Sequence, residues 1–341
     1  MKILGIETSC DDTAAAVVDS NGRVLSNLLS SQEAFHRDFG GIVPEIASRK
    51  HAELIGYVIL EALTLAHITL QDIDLIAVTN GPGLEGSLLV GVEAGKALSF
   101  ALERPLIGIN HLEGHIYSLF LEGSPLYNAK AYFPLLILIV SGGHTELILM
   151  EDHLKYRMIG RTRDDAAGEA IDKFARFLGY GYPGGPVIEK IGQSGNPDFV
   201  KFPGLSFKGS PYEFSFSGIK TAGIYYLEGH SDLVSTHLAD IAASYEKAII
   251  NILIERTLKA ASDFNVSGIG VVGGVSANKR LKEMLMAESK IPVYFPQKPY
   301  STDNAAMIAL CGSKHYKMGE MDNLLIDVYS RLEIQSAPVK K

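Results

Sequence analysis

The sequence contains few cysteines and no long apolar segment. Cys10 and Cys311 are the two cysteines among 341 residues. They are too few for a disulfide framework, which indicates a reducing compartment. The longest apolar run near the middle, residues 133–140, contains a proline and is far too short to span a bilayer. The first residues lead directly into a strand pattern and lack the apolar core and cleavage site of a signal peptide. We therefore expect a cytoplasmic protein that does not associate with a membrane.

Positive charge is also scarce. Lysine and arginine number 31 against 39 aspartates and glutamates, which gives a net charge of −8. A protein that binds nucleic acid on its own usually has a basic face. The short basic groups at 157–163 and 279–282 are scattered, as is typical of solvated surface. If the substrate is an RNA, the sequence predicts that this chain needs partners to hold it.

Glycine, in contrast, is abundant, with 34 residues. An excess of glycine indicates tight turns or backbone that approaches a ligand closely. The length of the chain suits two packed lobes better than one core.

Two parts of the sequence repeat one order of elements, namely a strand, a polar turn and a second strand, with helices later. In the first part the strands at 2–7 and 13–18 flank a turn, and Asn21-Gly22 predicts a hairpin to a third antiparallel strand at 24–30. In the second part the strands lie at 135–140 and 145–150. Further predicted elements are strands at 75–79, 106–109, 269–272 and 293–295, and helices starting at Pro44, after Ser87, at 111, at about 166, 217 and 234, after Ser276 and after Thr302.

This repeat predicts the α/β fold of actin-like ATPases, which is a duplicated RNase H-like fold. Two lobes face each other in that fold, and a nucleotide binds in the cleft between them. We assign residues 1–133 plus about 306–341 to the first lobe, with a metal-binding helix, and residues 134–305 to the second lobe, with nucleotide-binding loops.

Hydroxyls and carboxylates crowd the first polar turn, residues 8–13, which includes Ser9, Asp11 and Asp12. Hydroxyl and backbone N–H groups suit a phosphate, and the carboxylates suit Mg²⁺ or its waters. An ordinary polar hairpin turn has the same composition, so both interpretations stay open.

Glycines dominate the second turn and a later loop. In Ser141-Gly142-Gly143-His144 the two glycines allow the backbone to approach a ligand. Gly273-Gly274 ends a predicted buried strand before Asn278, where a purine and ribose could lie against bare backbone. The chain contains neither the dinucleotide fingerprint nor a Walker phosphate loop, so a bound nucleotide must be held in another way.

His111 and His115 lie four residues apart on a predicted helix and therefore project from one face. This spacing suits a shared metal, although such pairs also occur by chance, and the two interpretations are equal at this point. Glu113 lies midway between them, which is not the spacing of a zinc peptidase. Asp303, at a predicted helix start, is a plausible third ligand. Two imidazoles and one carboxylate leave open positions, as in iron or catalytic zinc sites.

Seven motifs in this order and spacing resemble the TsaD family, also called Gcp or YgjD, over nearly the whole chain. The motifs are Glu7–Thr13, 41–49, 110–115, 140–145, 165–170, 214–221 and 302–306. The resemblance implies transfer of a threonylcarbamoyl group from threonylcarbamoyl-AMP to N6 of the adenosine 3′ of the anticodon, in tRNAs that read ANN codons. It also implies two partners, a TsaB-like paralogue and a TsaE-like ATPase.

The resemblance assigns roles to individual residues as well. His111, His115 and Asp303 would hold one divalent metal, Fe²⁺ or Zn²⁺. ATP, ADP or the acyl-adenylate, with Mg²⁺ as a further candidate ion, would be the ligand. The nucleotide pocket would be lined by Ile139, Val140, Ser141, Gly142, Gly143, Asp172, Gly185, Glu189 and Asn278, and we add Ser9, Gly273 and Gly274 from the turns described above. From the chemistry of the transfer, and not from the resemblance, we add the hypothesis that Asp11, or as second candidate His144, accepts the proton of the attacking amine. Asp12 stands where many relatives have glutamate, which shortens a carboxylate side chain.

Three alternatives remain at this stage. A small-molecule kinase of the same fold would share the two polar turns but leave the histidine pair unexplained. A metallopeptidase would need a differently placed glutamate. A non-catalytic nucleotide-dependent scaffold would have no need of both histidines and Asp303.

Overall fold

The computed structural model describes residues 1–37, 39–129, 133–204 and 210–335. The strands are β1 Lys2–Glu7, β2 Asp12–Asp19, β3 Val24–Ser31, β4 Leu75–Gly81, β5 Leu106–Asn110, β6 Leu135–Val140, β7 Thr145–Asp152, β8 Lys155–Arg161, β9 Gly268–Val272 and β10 Val293–Tyr294. The α-helices are α1 Glu33–Arg37, α2 Pro44–Leu65, α3 Glu85–Leu102, α4 His111–Tyr117, α5 Ala167–Phe177, α6 Gly185–Gly192, α7 Ser217–Gly229, α8 Ser231–Asp263, α9 Lys279–Glu288 and α10 Ala305–Lys317. Within these ranges no helix is both long and apolar enough to cross a bilayer.

The first sheet has the strand order β3-β2-β1-β4-β5. The strands β1, β2 and β3 are antiparallel, as the hairpin pattern predicted, whereas β4 pairs in parallel with both β1 and β5. Because side chains alternate between the faces of a strand, Leu4 and Ile6 of β1 lie on one face. There they join a buried cluster with Val58 of α2 and Val92 of α3.

The other face of β1 is covered by α10 at very close range. A Cβ atom at Gly5 would lie 2.1 Å from the carbonyl oxygen of Ala305 and 3.0 Å from Cβ of Ala309. Gly5 therefore allows the first turn of α10 to contact the strand directly. This contact brings the segment before α10 to the end of β1.

The second sheet has the order β8-β7-β6-β9-β10, which repeats the arrangement of the first. Its central strand β6 is antiparallel to β7 and parallel to β9. All six residues of β6 are buried. The predicted duplication of strand, turn and strand is thus confirmed at the level of the sheets.

The chain packs into two compact units. The first unit consists of Met1–Ala131, Glu151–Tyr156 and Tyr294–Lys341, and the second of Tyr132–Met150 and Arg157–Val293. The sequence predicts a second lobe of residues 134–305. In the structure Glu151–Tyr156 and residues 294–305 belong to the first unit. For the latter segment the close packing of Gly5 against the start of α10 is the reason.

The predicted helix caps are wrong in detail. The helix α3 begins at Glu85, so Ser87 is a buried residue of its first turn and caps nothing. Asn278, and not Ser276, accepts a hydrogen bond from Leu281 N at the start of α9. Asn304, and not Thr302, caps α10 through Met307 N. In both asparagine caps the side-chain oxygen reaches the N–H three residues ahead, as an N-cap requires.

Three elements were missed, namely α1, α6 and β8. Residues 183–186 are rich in glycine and proline, but Pro186 lies in the first turn of α6, where its missing N–H costs nothing. The strand β8 is largely exposed and carries three basic residues, so it lacks the apolar alternation of a half-buried strand.

Candidate functional site

The helix α4 presents the two candidate metal-binding histidines. Asn110, the last residue of β5, caps the helix, because its side-chain oxygen accepts hydrogen bonds from the backbone of Leu112 and Glu113. His111 is therefore the first residue of the helix, and His115 lies one turn later on the same side. Every residue of α4 is buried.

Asp303 meets both histidines just before α10 begins. Its Oδ1 lies 3.4 Å from His111 Nε2 and 3.2 Å from His115 Nε2. One ligand atom from each of the three residues falls within 4.8 Å of the others. The structure thus brings together the three residues predicted to hold one metal.

The state of His115 supports a metal at this position. Its side chain is 1% exposed. Nε2 has the 3.2 Å contact with Asp303 Oδ1, but neither ring nitrogen makes a well-aligned hydrogen bond to a described residue. A buried imidazole with so little hydrogen bonding is costly in a folded protein, whereas a lone pair on Nε2 directed at a metal would satisfy it. Two imidazoles and a carboxylate would leave further coordination positions open.

Glu7, at the end of β1, orients His111. Its Oε2 lies 2.9 Å from His111 Nδ1 and also accepts a hydrogen bond of 2.6 Å from the Thr79 hydroxyl. Its Oε1 accepts one of 2.5 Å from the backbone N–H of Ser9. A carboxylate at Nδ1 keeps the proton on that nitrogen and leaves Nε2 free to bind a metal.

Ser9 was predicted to line the nucleotide pocket, and the structure places it beside this histidine. Its buried hydroxyl lies 3.1 Å from His111 Nδ1. The role of Glu7 was not predicted. The available signal was a carboxylate at the end of an otherwise apolar strand, which must be paired if it is buried.

The charges at the site favour a cation. Burial lowers the pKa of His111, but the charges of Glu7 and Asp303 outweigh burial and raise it well above its usual value. Burial raises the pKa of Asp303, but His111 and His115 overcome this and hold it far below the usual range. In the absence of a metal, a charged imidazole therefore balances part of the carboxylate charge.

Two further carboxylates, those of Asp11 and Asp12 in the first polar turn, interact electrostatically with Asp303. Burial, followed by the charge of Asp303, raises the pKa of Asp11. Burial raises the pKa of Asp12 to about 7, with Asp303 and Asp11 adding to the effect. Asp12 Oδ1 is buried without a hydrogen-bond partner in the described part of the chain. The site thus carries an excess of carboxylates, which a divalent cation would relieve.

His51 of α2, which was not predicted as a site residue, holds the first polar turn in place. Its Nδ1 lies 2.8 Å from the Thr13 hydroxyl, and its Nε2 lies 3.0 Å from the carbonyl oxygen of Cys10. Nε2 therefore donates to that carbonyl, and Nδ1 accepts from the hydroxyl. Burial lowers the pKa of His51, which favours this neutral form.

The second polar turn lies in the second unit. Gly142 and Gly143 are exposed, and a Cβ atom at either would meet nothing within 4 Å. The carbonyl oxygen of Ser141 accepts a hydrogen bond of 3.2 Å from Gly168 N at the start of α5. His144 is half-exposed, with Nδ1 3.5 Å from Glu146. The turn therefore offers open backbone beside a helix start.

Ile139 and Val140 precede this turn and contribute differently. Their side chains are fully buried in β6, so only their backbone could face a ligand. Gly273 contacts that backbone, because a Cβ atom on it would lie 2.6 Å from the carbonyl oxygen of Val140. Its φ of +90° is also a conformation that favours glycine.

Asp172 joins α5 to the start of α6. Its Oδ1 accepts hydrogen bonds of 2.8 Å from Gly184 N and 3.2 Å from Gly185 N. Burial raises the pKa of this carboxyl despite those two bonds. Asp172 and Gly185, both predicted from the resemblance, therefore lie together.

Glu189 and Asn278 also lie together, at the start of α9. Glu189 Oε1 accepts a hydrogen bond of 2.9 Å from Lys279 N. The amide of Asn278 donates one of 2.7 Å to buried Glu246, which also pairs with Arg280 at 2.7 Å. A cavity of about 400 Å³ adjoins these side chains, with Glu189, Glu246, Lys279 and Arg280 among its lining residues. Glu246 was not predicted from the sequence.

Comparison with known proteins identifies one family, both from the family model and from individual relatives. Residues 23–310 match the family described as TsaD: tRNA N6-adenosine threonylcarbamoyltransferase. The chain is 51% identical over 325 residues to the tRNA N6-adenosine threonylcarbamoyltransferase of Symbiobacterium thermophilum, covering 94% of each chain. It is 47% identical over 339 residues to the protein of that name from Clostridium kluyveri, covering 98% of each.

Among solved structures, the chain is similar to component A of (R)-2-hydroxyglutaryl-CoA dehydratase from Acidaminococcus fermentans. The TM-score is 0.56 at 15% identity, over 93% of this chain and 99% of that one. At this identity the likeness concerns the fold alone. Together with the repeated strand order, it confirms the predicted α/β fold of the actin-like ATPase class.

Proposed function

The chain belongs to the TsaD family of tRNA N6-adenosine threonylcarbamoyltransferases, and we propose that it transfers a threonylcarbamoyl group to N6 of an adenosine in tRNA. The observation that carries this proposal is the convergence of the buried His111 and His115 with Asp303, with one ligand atom from each within 4.8 Å of the others. We further propose that the donor is threonylcarbamoyl-AMP and that the acceptor lies 3′ of the anticodon in tRNAs that read ANN codons. Such a reaction belongs in the cytoplasm.

The metal site would serve this chemistry through His111, His115 and Asp303. A bound Fe²⁺ or Zn²⁺ would supply positive charge and Lewis acidity for an oxygen of the donor. Glu7 fixes the orientation of His111. The two histidines are buried, which limits the access of competing water to their ring nitrogens, whereas the Asp303 side chain is 25% exposed.

The second unit would hold the adenylate. Its exposed Gly142 and Gly143 backbone suits a phosphate, and the cavity beside Glu189 and Asn278 suits a nucleoside. Asp172 would act by fixing Gly184 and Gly185 at the start of α6. The same residues would accept ATP or ADP.

An acyl-adenylate is already activated, so the enzyme mainly positions it beside the amine. The nitrogen N6 forms a bond to the carbamoyl carbon, the bond from that carbon to the AMP oxygen breaks, and AMP leaves with the electron pair. The amine proton must go to a base. Asp11 is the first candidate, because its raised pKa makes it a better proton acceptor than an ordinary carboxylate. His144 is the second.

Partners would complete the tRNA surface. A chain with a net charge of −8 carries little of the positive charge that RNA binding requires. We propose a TsaB-like paralogue and a TsaE-like ATPase in this role.

The peptidase alternative meets a specific obstacle. Glu113 would have to serve as its general base, but both of its oxygens lie within hydrogen-bond distance of His315 Nε2, at 3.0 and 2.9 Å. The carboxylate is therefore engaged with α10 and is not directed at the histidine pair.

The decisive test measures transfer of labelled threonylcarbamoyl from its adenylate to unmodified tRNA, with the partner proteins present. Wild type should form product, and His111→Ala and Asp303→Asn should not. A tRNA with guanosine in place of the acceptor adenosine is the matched substrate control. Wild-type protein without product, but with ATP-dependent phosphorylation of small metabolites, would replace the proposal with the kinase alternative.

A further inference from the structure

A second group of metal-ligating side chains lies in the first unit, on the opposite side of α4. Because successive helical residues are rotated by about 100°, Glu113 points away from His111 and His115. It meets Cys311 and His315, which lie four residues apart on one face of α10. One ligand atom from each of these three residues falls within 4.8 Å of the others. We propose that Glu113, Cys311 and His315 form a second, structural metal site suited to Zn²⁺.

The arrangement of these atoms is close to what zinc needs. Ligand atoms at about 2.0–2.3 Å from a tetrahedral zinc ion lie about 3.3–3.8 Å apart. The oxygens of Glu113 lie 3.0 and 2.9 Å from His315 Nε2, so these two ligands would have to separate by a few tenths of an ångström to admit the ion. The Cys311 sulfur lies within 4.8 Å of both ligand atoms and would have to approach to a bonding distance. Glu113 and Cys311 are buried, and the His315 side chain is 12% exposed.

Glu320 orients the histidine of this second site. Its Oε2 lies 2.7 Å from His315 Nδ1, which keeps a proton on Nδ1, so that Nε2, which here donates to Glu113, would be the ligand atom once an ion takes the place of its proton. Metal-binding histidines are commonly held by a carboxylate in this way. Gly319, with a φ of +83° after α10, reverses the chain and brings Glu320 back over His315. The other carboxylate oxygen of Glu320 is buried without a partner among the described residues.

The ligand chemistry distinguishes the two sites. The first offers nitrogen and oxygen ligands, whereas the second adds a sulfur. A thiolate, an imidazole and a carboxylate together suit zinc. On binding, the ion would displace two protons to solvent, one from the Cys311 thiol and one from His315 Nε2, and would replace the contact between Glu113 and His315.

A metal at this position would connect α4 to α10. The helix α4 carries His111 and His115, and α10 follows Asp303 directly. The second site would therefore fix the two elements that provide the first site. Without a metal, His315 is held between Glu113 and Glu320 by ion pairs alone.

Cobalt spectroscopy tests the proposal independently of transferase activity. Chelator-stripped wild-type protein is titrated with Co²⁺, and the near-ultraviolet absorption of a thiolate–cobalt bond is recorded together with the number of ions bound. We expect this absorption in wild type and in Asp303→Asn, which disables the first site. Cys311→Ser should lose it and bind one ion fewer than wild type.

Cys10→Ser is the matched control, because Cys10 is the other cysteine of the chain, and it should keep the absorption. The proposal would be overturned if wild type showed no thiolate absorption, or if Cys311→Ser kept that absorption. It would also be overturned if Cys10→Ser lost the absorption and Cys311→Ser did not. If Cys311→Ser does not fold, Zn²⁺ added to stripped Asp303→Asn gives the answer. A rise in Tm with Zn²⁺, together with the cobalt absorption, would support the site. The absence of both signals would overturn it.

Discussion

Glu7 Oε2 lies 2.9 Å from His111 Nδ1, across 104 residues of sequence. The carboxylate ends the central strand of the first sheet, and the histidine begins the helix after the last strand of that sheet. Their contact fixes the ring so that Nε2 faces Asp303. An interaction of this kind tunes the affinity of a site without contributing a ligand.

We therefore expect Glu7→Gln to weaken metal binding by about 10–100-fold, because an amide cannot polarise His111 as a carboxylate does. Competition with a chromogenic chelator measures the Zn²⁺ affinity, and transfer should recover as metal is added in excess. Glu93→Gln, which alters an exposed carboxylate paired with Lys96 on α3, is the matched control. Unchanged affinity in Glu7→Gln would refute the role assigned to Glu7.

Asp12 makes the metal-free protein less stable as pH rises. The ordinary pKa of an aspartate carboxyl is 3.8, whereas the pKa of Asp12 in the folded protein is about 7. Between these values the folded state binds more protons than the unfolded state, so the free energy of unfolding falls with rising pH. The decrease in the free energy of unfolding is complete above the folded pKa and is at most about 4 kcal/mol.

Asp12→Asn should accordingly stabilise the metal-free protein by about 1–3 kcal/mol at pH 8, and by much less at pH 5. Thermal unfolding followed by circular dichroism at both pH values measures the difference. The pH 5 comparison serves as the internal control. A variant equally or less stable than wild type at pH 8 would contradict the raised pKa.

The sequence predicts the sheets well because their signal is local. Alternation and turn residues locate β1, β2 and β3 within a residue or two, and the same pattern locates β6 and β7. The spacing of His111 and His115 indicates a shared face of a helix. Asp303 is different, since its place at a predicted helix start made it only a candidate third ligand, and the packing of α10 is what brings it to the histidines.

The remaining features depend on contacts between distant segments. Glu7 and His51 act through side chains that meet only after the first sheet and α2 have packed. Glu246 lies within the longest described helix, where nothing in the local pattern separates a buried carboxylate from a solvated one. The caps of α9 and α10 failed for a related reason, since more than one polar residue stands before each helix and only the final geometry selects the cap. The helix α3 begins after Leu84 with no side-chain cap.

Substitution by alanine should have different effects at two adjacent glycines, Gly273 and Gly274. At Gly273 the new Cβ atom would lie 2.6 Å from the Val140 carbonyl oxygen and occupy a φ of +90°, so Gly273→Ala should destabilise the protein by about 2 kcal/mol or more. At Gly274 a Cβ atom would meet nothing within 4 Å. Gly274→Ala should keep the wild-type Tm but weaken binding of an adenylate analogue, because its methyl group would lie on the open side of the loop. Equal melting temperatures for the two variants would contradict this account.

Asp172 should act on donor binding through the backbone that it holds. Asp172→Ala leaves the N–H groups of Gly184 and Gly185 without their acceptor, at a cost of about 1–3 kcal/mol. We expect an increase of about tenfold or more in the KM for the acyl-adenylate, with a smaller change in kcat, because the loop is displaced while the metal-binding residues of the first unit are untouched. Asp172→Asn is the matched control, since its amide oxygen can still accept from Gly184, and it should fall between wild type and alanine. If Asp172→Asn lost kcat as fully as alanine at an unchanged KM, the charge of Asp172 would be needed for the reaction itself, and the positioning role would be wrong.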